Sequence, residues 1–240
     1  MRSTAPWTAD VWTYNIRVGV ESSVAALAAA VRAHGAPDLL ALQEVGVRWN
    51  MGERVDQPAV LAEALGLGFH AFAGALLDEQ GGRFGVALLS RWPLDGVQTT
   101  NLPREVDEQR VILRARVLAT VPFVALVTHL SIKGPERLRQ AVQVGRAVAA
   151  ETLPVVLLGD LNDVPGSPTV EAAEAGLADC FDARGEGDPL TFSVRTPQAR
   201  IDYIACGGGL APAGPCVVVR GATASDHFPL AARVGEAGAC

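Results

Sequence analysis

The feature that most constrains this 240-residue chain is a short apolar run that stops on a polar or ionisable side chain, repeated along its length. Val11–Ile16 contains Asn15 near its end, Asp38–Glu44 closes on Gln43 and Glu44, Phe123–His129 closes on a histidine, and Pro154–Asp160 closes on a carboxylate. Runs this short, apolar without alternation, are how strands read when a sheet is covered on both faces. A polar residue at the end of such a strand is delivered to the edge of the sheet. Glu44 is therefore expected at a strand end, and a sheet that brings several of these ends to one edge would gather their side chains.

The remaining punctuation fits the same frame. Ser22 or Ser23 is expected to cap a helix that buries Val24, Leu27, Ala28 and Val31 and stops at Gly35 and Pro37. Pro58–Leu65 reads as a second helix. A third opens at Pro135 and runs to Ala150 with Leu138, Val142, Val144 and Val148 as its apolar residues. Further strands are expected at Phe69–Ala73, Phe84–Ser90, Val97–Asn101, Ile201–Ala205, Cys216–Arg220 and Pro229–Val234. Arg110–Thr120 and Phe123–His129 look like a hairpin turning at Val121-Pro122, and Gly207–Gly209 like a loop. Strands outnumber helices and many look hairpin-linked. A mixed α/β (α+β) arrangement of two packed sheets covered by helices fits better than a parallel fold. No repeat or linker divides the chain, so one domain spanning 1–240, with its core at about 10–235, is expected.

Composition narrows the function. Hydrophobic residues make up 49% of the chain, enough for a large core, and no run of apolar residues is long enough to span a bilayer. The Met1–Asp10 segment lacks a signal-peptide core, and a cytoplasmic monomer is expected. A net charge of −6 argues against the broad basic field of non-specific nucleic-acid binders. Cys180, Cys206, Cys216 and Cys240 contain no Cys-x-x-Cys pair and read as incidental thiols. His34 and His70 read as surface residues, and Lys133, Arg137 and Arg139 as a solvated helix face.

The strand-end residues form a set of Asn15, Glu44, His129, Asp160, Asn162, Asp202, Asp226 and His227. Carboxylates gathered at one edge repel unless a cation offsets them, so a hard divalent ion, Mg2+ or Mn2+, is the natural partner. Paired carboxylates also serve glycosidases, but those need neither metal nor histidine, and chelator sensitivity separates the two.

In order along the chain, Tyr14-Asn15-Ile16, Leu42-Gln43-Glu44, Thr128-His129-Leu130, Gly159-Asp160-Leu161-Asn162-Asp163, Arg200-Ile201-Asp202-Tyr203 and Ser225-Asp226-His227 resemble the motifs of the endonuclease/exonuclease/phosphatase superfamily. That superfamily includes deoxyribonuclease-like enzymes, abasic-site endonucleases, sphingomyelinases and inositol polyphosphate phosphatases. The resemblance implies a four-layer α/β/β/α sandwich and hydrolysis of phosphodiester bonds by in-line attack of an activated water. It implies that Glu44 binds the metal with Asn15 and Asp226 nearby, and that Asp160 and Asn162 orient the water and a phosphate oxygen. His227, held by Asp202, would be the base or a phosphate contact, and His129 would meet the phosphate from the other side.

Two positions depart from the family's pattern. Arg17 stands where some members carry a carboxylate, which removes a second metal ligand and makes Arg17 a substrate contact instead. Val86 follows Gly85 where Asn is frequent. Lys133, close to His129, is a further phosphate-contact candidate. Aromatic residues are only 5% of the chain, which places a small-molecule or lipid diester slightly ahead of DNA. The alternatives are a DNA endo- or exonuclease or abasic-site endonuclease, then a phosphomonoesterase, for which no loop concentrates Lys and Arg, then a silent binding module that keeps the fold.

Overall fold

The computed structural model describes residues 6–238; Cys240 and the first five residues of the N-terminal segment lie outside the described residues. Two mixed sheets pack face to face. The first contains β1 (Thr8–Asn15), β2 (Leu39–Val47), β3 (Phe69–Leu77), β4 (Arg83–Ser90), β10 (Gly185–Glu186), β12 (Leu210–Val218) and β13 (Leu230–Glu236), in the order β10-β12-β13-β1-β2-β4-β3. The second contains β5 (Leu94–Asn101), β6 (Val111–Val117), β7 (Phe123–His129), β8 (Val155–Asp160), β9 (Ala178–Asp179) and β11 (Asp202–Gly207), in the order β5-β6-β7-β8-β11-β9.

Alternation of side chains explains the layers. On β1, Val11 enters the core between the sheets while Trp12 and Tyr14 turn outward beneath α1 (Val24–His34) and α2 (Gln57–Leu65). On β7 and β8, Val127 and Val156 enter the central core. Leu126 and Leu157 turn outward beneath α3 (Gly134–Ala149) and α4 (Pro168–Ala173). Both faces of the central strands are thus buried, which is why they read as unbroken apolar runs. The expected four layers are what the chain builds.

Two local expectations are corrected. Leu138 and Val142 are 37% and 38% exposed; α3 instead buries Gln140, Ala141, Val144, Gly145 and Val148. A helical spacing of three to four also fits the face the chain actually uses, in which polar Gln140 anchors the loop beneath it through the amide of Ser131. The segment from 168 to 186, which carries no long periodic pattern, holds α4, β9, the short α5 (Cys180–Arg184) and β10. Arg137 is not solvated: it pairs with Asp163 at 3.0 Å. Cys180, Cys206 and Cys216 are buried free thiols, and His34 and His70 are exposed.

Candidate active site

The strands are arranged so that one edge of the sandwich collects their polar ends. β1 and β2 run parallel with Asn15 opposite Gln43, and β7 and β8 run parallel with His129 opposite Asp160. β11 runs antiparallel to β8 with Asp202 opposite Asp160. His129, Asp160 and Asp202 therefore stand side by side on three neighbouring strands. Gly159 permits this approach: a Cβ there would sit 2.2 Å from the Thr128 carbonyl oxygen.

Glu44 is not at a strand end, as the apolar run suggested. β2 continues to Val47, and its pairing with β4 slips between Leu42 and Val45, so Glu44 occupies a β-bulge with φ of 52°. The bulge inserts an unpaired residue that re-aims the side chain, a device the pattern of apolar residues cannot reveal. Glu44 then meets Asn15, whose amide donates to Glu44 Oε1 at 3.0 Å and to Asp160 Oδ2 at 3.1 Å. Asn15 is buried and ties the two sheets together across the site.

His227 is buried against the ring of Phe192, with centroids 4.7 Å apart. Its Nδ1 bonds Asp202 Oδ2 at 2.8 Å, and its Nε2 lies 3.7 Å from Asp160 Oδ2. Burial opposes charging of this ring, but the charge and hydrogen bond of Asp202, with Asp160 and Asp226 behind, outweigh it and raise its pKa to about 10. The surrounding carboxylates therefore favour the charged form of this ring.

His129 has the opposite fate. Burial, Arg110 and His227 hold its pKa well below the usual histidine value. Both ring nitrogens face donors: Nδ1 lies 2.8 Å from the Arg110 guanidinium and Nε2 3.0 Å from the Asn162 amide nitrogen, with Asp160 Oδ2 3.6 Å from Nε2, an arrangement that disfavours a doubly protonated ring. Arg110 is itself buried and salt-bridged to Glu108. Its role was hidden because it reads as one of the outward arginines of an alternating strand.

Asn162, with φ of 53°, donates its backbone amide to Asp160 Oδ1 at 2.9 Å, and its side chain reaches Leu130 O and the His129 ring, 2.8 and 3.0 Å away. Arg17 spans Glu21 and Asp226, the latter at 3.4 Å. Lys133 is the exposed N-cap position of α3. Among the described residues, Lys133 is not drawn into the hydrogen-bonded cluster, and Arg17 joins it at the rim through Asp226.

The cluster is short of positive charge. Burial, then Asp202, push the Asp160 carboxyl up to about 7, burial raises that of Glu44, and Asp202 Oδ1 is buried with no hydrogen-bond partner. Asp160, Asp202 and His227 present donor atoms within 4.8 Å of one another and could hold a metal ion. Oxygen-rich, anionic and partly unsatisfied, the site fits a hard cation.

Comparison with known proteins agrees with the geometry. The uncharacterized protein YbhP of Escherichia coli (strain K12) is 29% identical over 161 residues, which cover 64% of this chain and 63% of that protein, so the chain spans less than two thirds of the curated relatives it matches. The crystal structure of an endonuclease/exonuclease/phosphatase from Beutenbergia cavernae DSM 12333 superposes with a TM-score of 0.80 at 28% identity, covering 97% of this chain and 72% of that one. Sphingomyelinase C from Streptomyces griseocarneus shares the fold, with a TM-score of 0.73 at 20% identity over 96% of this chain and 99% of that one. Residues 12–227, which run from β1 to His227, match the Endonuclease/Exonuclease/phosphatase family, and the chain belongs to it.

Proposed function

We propose that the protein is a divalent-metal-dependent phosphodiesterase that cleaves its substrate by in-line attack of water. The observation that carries the reading is the convergence, through the buried Asn15 amide, of Glu44 from one sheet with Asp160 from the other, flanked by His129 and His227. Members of the family are phosphoester hydrolases, and phosphoester hydrolysis is the coarse activity this arrangement supports.

Glu44, with Asn15 and Asp226, would hold Mg2+ or Mn2+; Asp202 and His227 are already engaged with each other, which leaves Glu44 the freer ligand. When bound, the ion offsets charge on the phosphate and on the departing oxygen. The protein's own groups divide the rest. Asp160 accepts the proton of the attacking water, and Asn162 orients that water. His227 donates from Nε2 to a non-bridging oxygen, which it can do because Asp202 keeps Nδ1 bonded and favours the charged form of the ring. His129, kept neutral beside Arg110, meets the phosphate from the other side. Arg17 and Lys133 are substrate contacts at the rim. Between possible leaving groups, a small-molecule or lipid diester stays ahead of DNA on the scarcity of aromatic residues for base stacking. A cytoplasmic monomer is the proposed state; among the described residues, no helix is long and apolar enough to cross a membrane.

The test is hydrolysis of a chromogenic phosphodiester and of the matching monoester, with Mg2+ or Mn2+ and with EDTA, by the wild-type chain, Asp160→Asn and His227→Ala. Metal-dependent diester cleavage that disappears in both variants is expected. Cleavage that survives EDTA, or that prefers the monoester, overturns the reading.

A further inference from the structure

The loops at the catalytic edge carry two kinds of exposed side chain that the proposed chemistry does not use. Large apolar side chains face solvent at Val20, Met51, Leu77, Val106, Ile132 and Val164, with Leu77 and Val106 73% and 77% exposed. Each lies in or, for Leu77, directly before a different connection on that edge: β1 to α1, β2 to α2, β3 to β4, β5 to β6, β7 to α3 and β8 to α4. At the opposite edge, only Phe69 and Leu118 stand out comparably among the described residues. An apolar side chain left in water by one loop needs no explanation; one from each of six unrelated loops ringing the same site does.

The same edge holds exposed basic residues that no carboxylate pairs with among the described residues. Arg48, Arg54, Arg83, Arg104 and Arg195 are all exposed, and none has a carboxylate within ion-pair distance among the described residues. Many carboxylates of these loops are occupied. Asp107 accepts from Ser131 and Ile132, Asp163 from Arg137, Asp188 from Arg220, and Asp78 from the amides of its own turn. A chain of net charge −6 therefore presents, around its active site, cations without carboxylate partners interleaved with apolar tips.

We propose that this edge is a docking surface for an anionic phospholipid bilayer. The apolar tips enter the acyl boundary and the basic side chains pair with headgroup phosphates, the two contributions that interfacial binding combines. A nucleic acid would use the cations and leave the apolar tips in water, so the lipid surface is the better match. Docking brings headgroup diesters to the site; that they are the substrate rests on the phosphodiesterase reading above, whereas the docking itself does not.

The experiment is co-sedimentation of the full chain with vesicles of phosphatidylcholine alone or of equimolar phosphatidylcholine and phosphatidylglycerol. It is run with the wild type, His227→Ala, a triple variant (Met51→Ser, Val106→Ser, Ile132→Ser) and a double variant (Arg104→Gln, Arg195→Gln). Wild type and His227→Ala are expected to bind the mixed vesicles about tenfold more strongly than the neutral ones. The triple and double variants should each lose most of that binding while hydrolysing a water-soluble chromogenic diester at the wild-type rate. Binding by His227→Ala without any diesterase activity in the wild type supports docking and removes only the substrate assignment. Equal or absent binding to both vesicles overturns the proposal even if the soluble diester is cleaved. So does tighter binding to duplex DNA that depends on Arg104 and Arg195 but not on the apolar tips, which assigns the edge to nucleic acid.

Discussion

The two edges of the sandwich solve the same geometric problem with different residues. Both must turn the chain between strands, and both use left-handed backbone to do it. At the far edge the left-handed positions are glycines: Gly66 after α2, Gly176 after α4, and Gly208 and Gly209 between β11 and β12. At the catalytic edge Arg17, Val18, Glu44, Arg48 and Asn162 take positive φ despite their side chains, and among the described residues no other non-glycine does. A left-handed non-glycine residue costs about 1–3 kcal/mol where the surroundings enforce it. The difference teaches where this protein accepts strain: only where the strained residue's own side chain is needed, as for Glu44 and Asn162, or directly beside Asn15 and the site's rim.

Substitutions can break or sharpen this contrast. The largest effect is expected at Asp160. Asp160→Asn should lower kcat/KM for a diester by about 10³-fold or more. The same variant should melt at a higher temperature than wild type in EDTA, because an amide replaces a buried carboxyl that burial and Asp202 push up to about 7. That carboxyl, raised in the folded state, weakens the fold as pH climbs from about 4 through 7, so the gain should be greatest above pH 7 and vanish below about pH 4. Thermal scans across pH check it; a variant that is both inactive and less stable at pH 8 would contradict it.

Asn162→Gly keeps the left-handed conformation and removes the side chain. Activity should fall by about 10²-fold with thermal stability unchanged or slightly higher, since glycine carries no penalty at φ of 53°. A marked loss of stability would show that the Asn162 bonds outweigh its strain.

Glu136 tests how the catalytic edge is held. Its carboxylate accepts the amides of Val106 and Glu105 at 2.8 and 2.9 Å, and these bonds, that of Val106 first, hold its pKa below the usual glutamate value despite burial. A depressed folded pKa gives stability that is present above about pH 4.3 and lost as pH falls through the folded value. Glu136→Gln should therefore cost about 1–2 kcal/mol at pH 7 and flatten the acid limb of the stability profile. Denaturant titrations at pH 7 and in acid measure both. The smallest effect belongs to the far edge: Gly66→Ala, with open space around the new methyl, should cost about 1 kcal/mol for its φ of 69° and leave kcat/KM unchanged. An altered rate there would show that the two edges are coupled.

Most of the layered fold was legible because both faces of the central strands are buried and these strands announce themselves as apolar runs closing on Asn15, His129 and Asp160. The convergence of those residues was legible too, through six short motifs in order. What escaped has physical reasons. The bulge at Glu44 changes register without changing the hydrophobic pattern, so β2 read as ending early. The buried face of α3 is partly polar, because Gln140 and Glu136 hold loops, and the apolar residues Leu138 and Val142 misdirected the reading. Arg110 looked like any outward arginine until the turn of the chain placed it behind His129. The elements between 168 and 186 are a turn or two long, too short for periodicity to mark.

The Asn15 amide bond to Asp160 joins residues 145 positions apart in the chain. Such a bond can form only after the two sheets have docked, late in a search dominated by non-local pairing. Helices and hairpins can therefore regain their native signal in refolding while the protein still has no working site. Recovery of activity should trail recovery of secondary structure, and the interval between them would time the moment at which the two halves of the molecule meet.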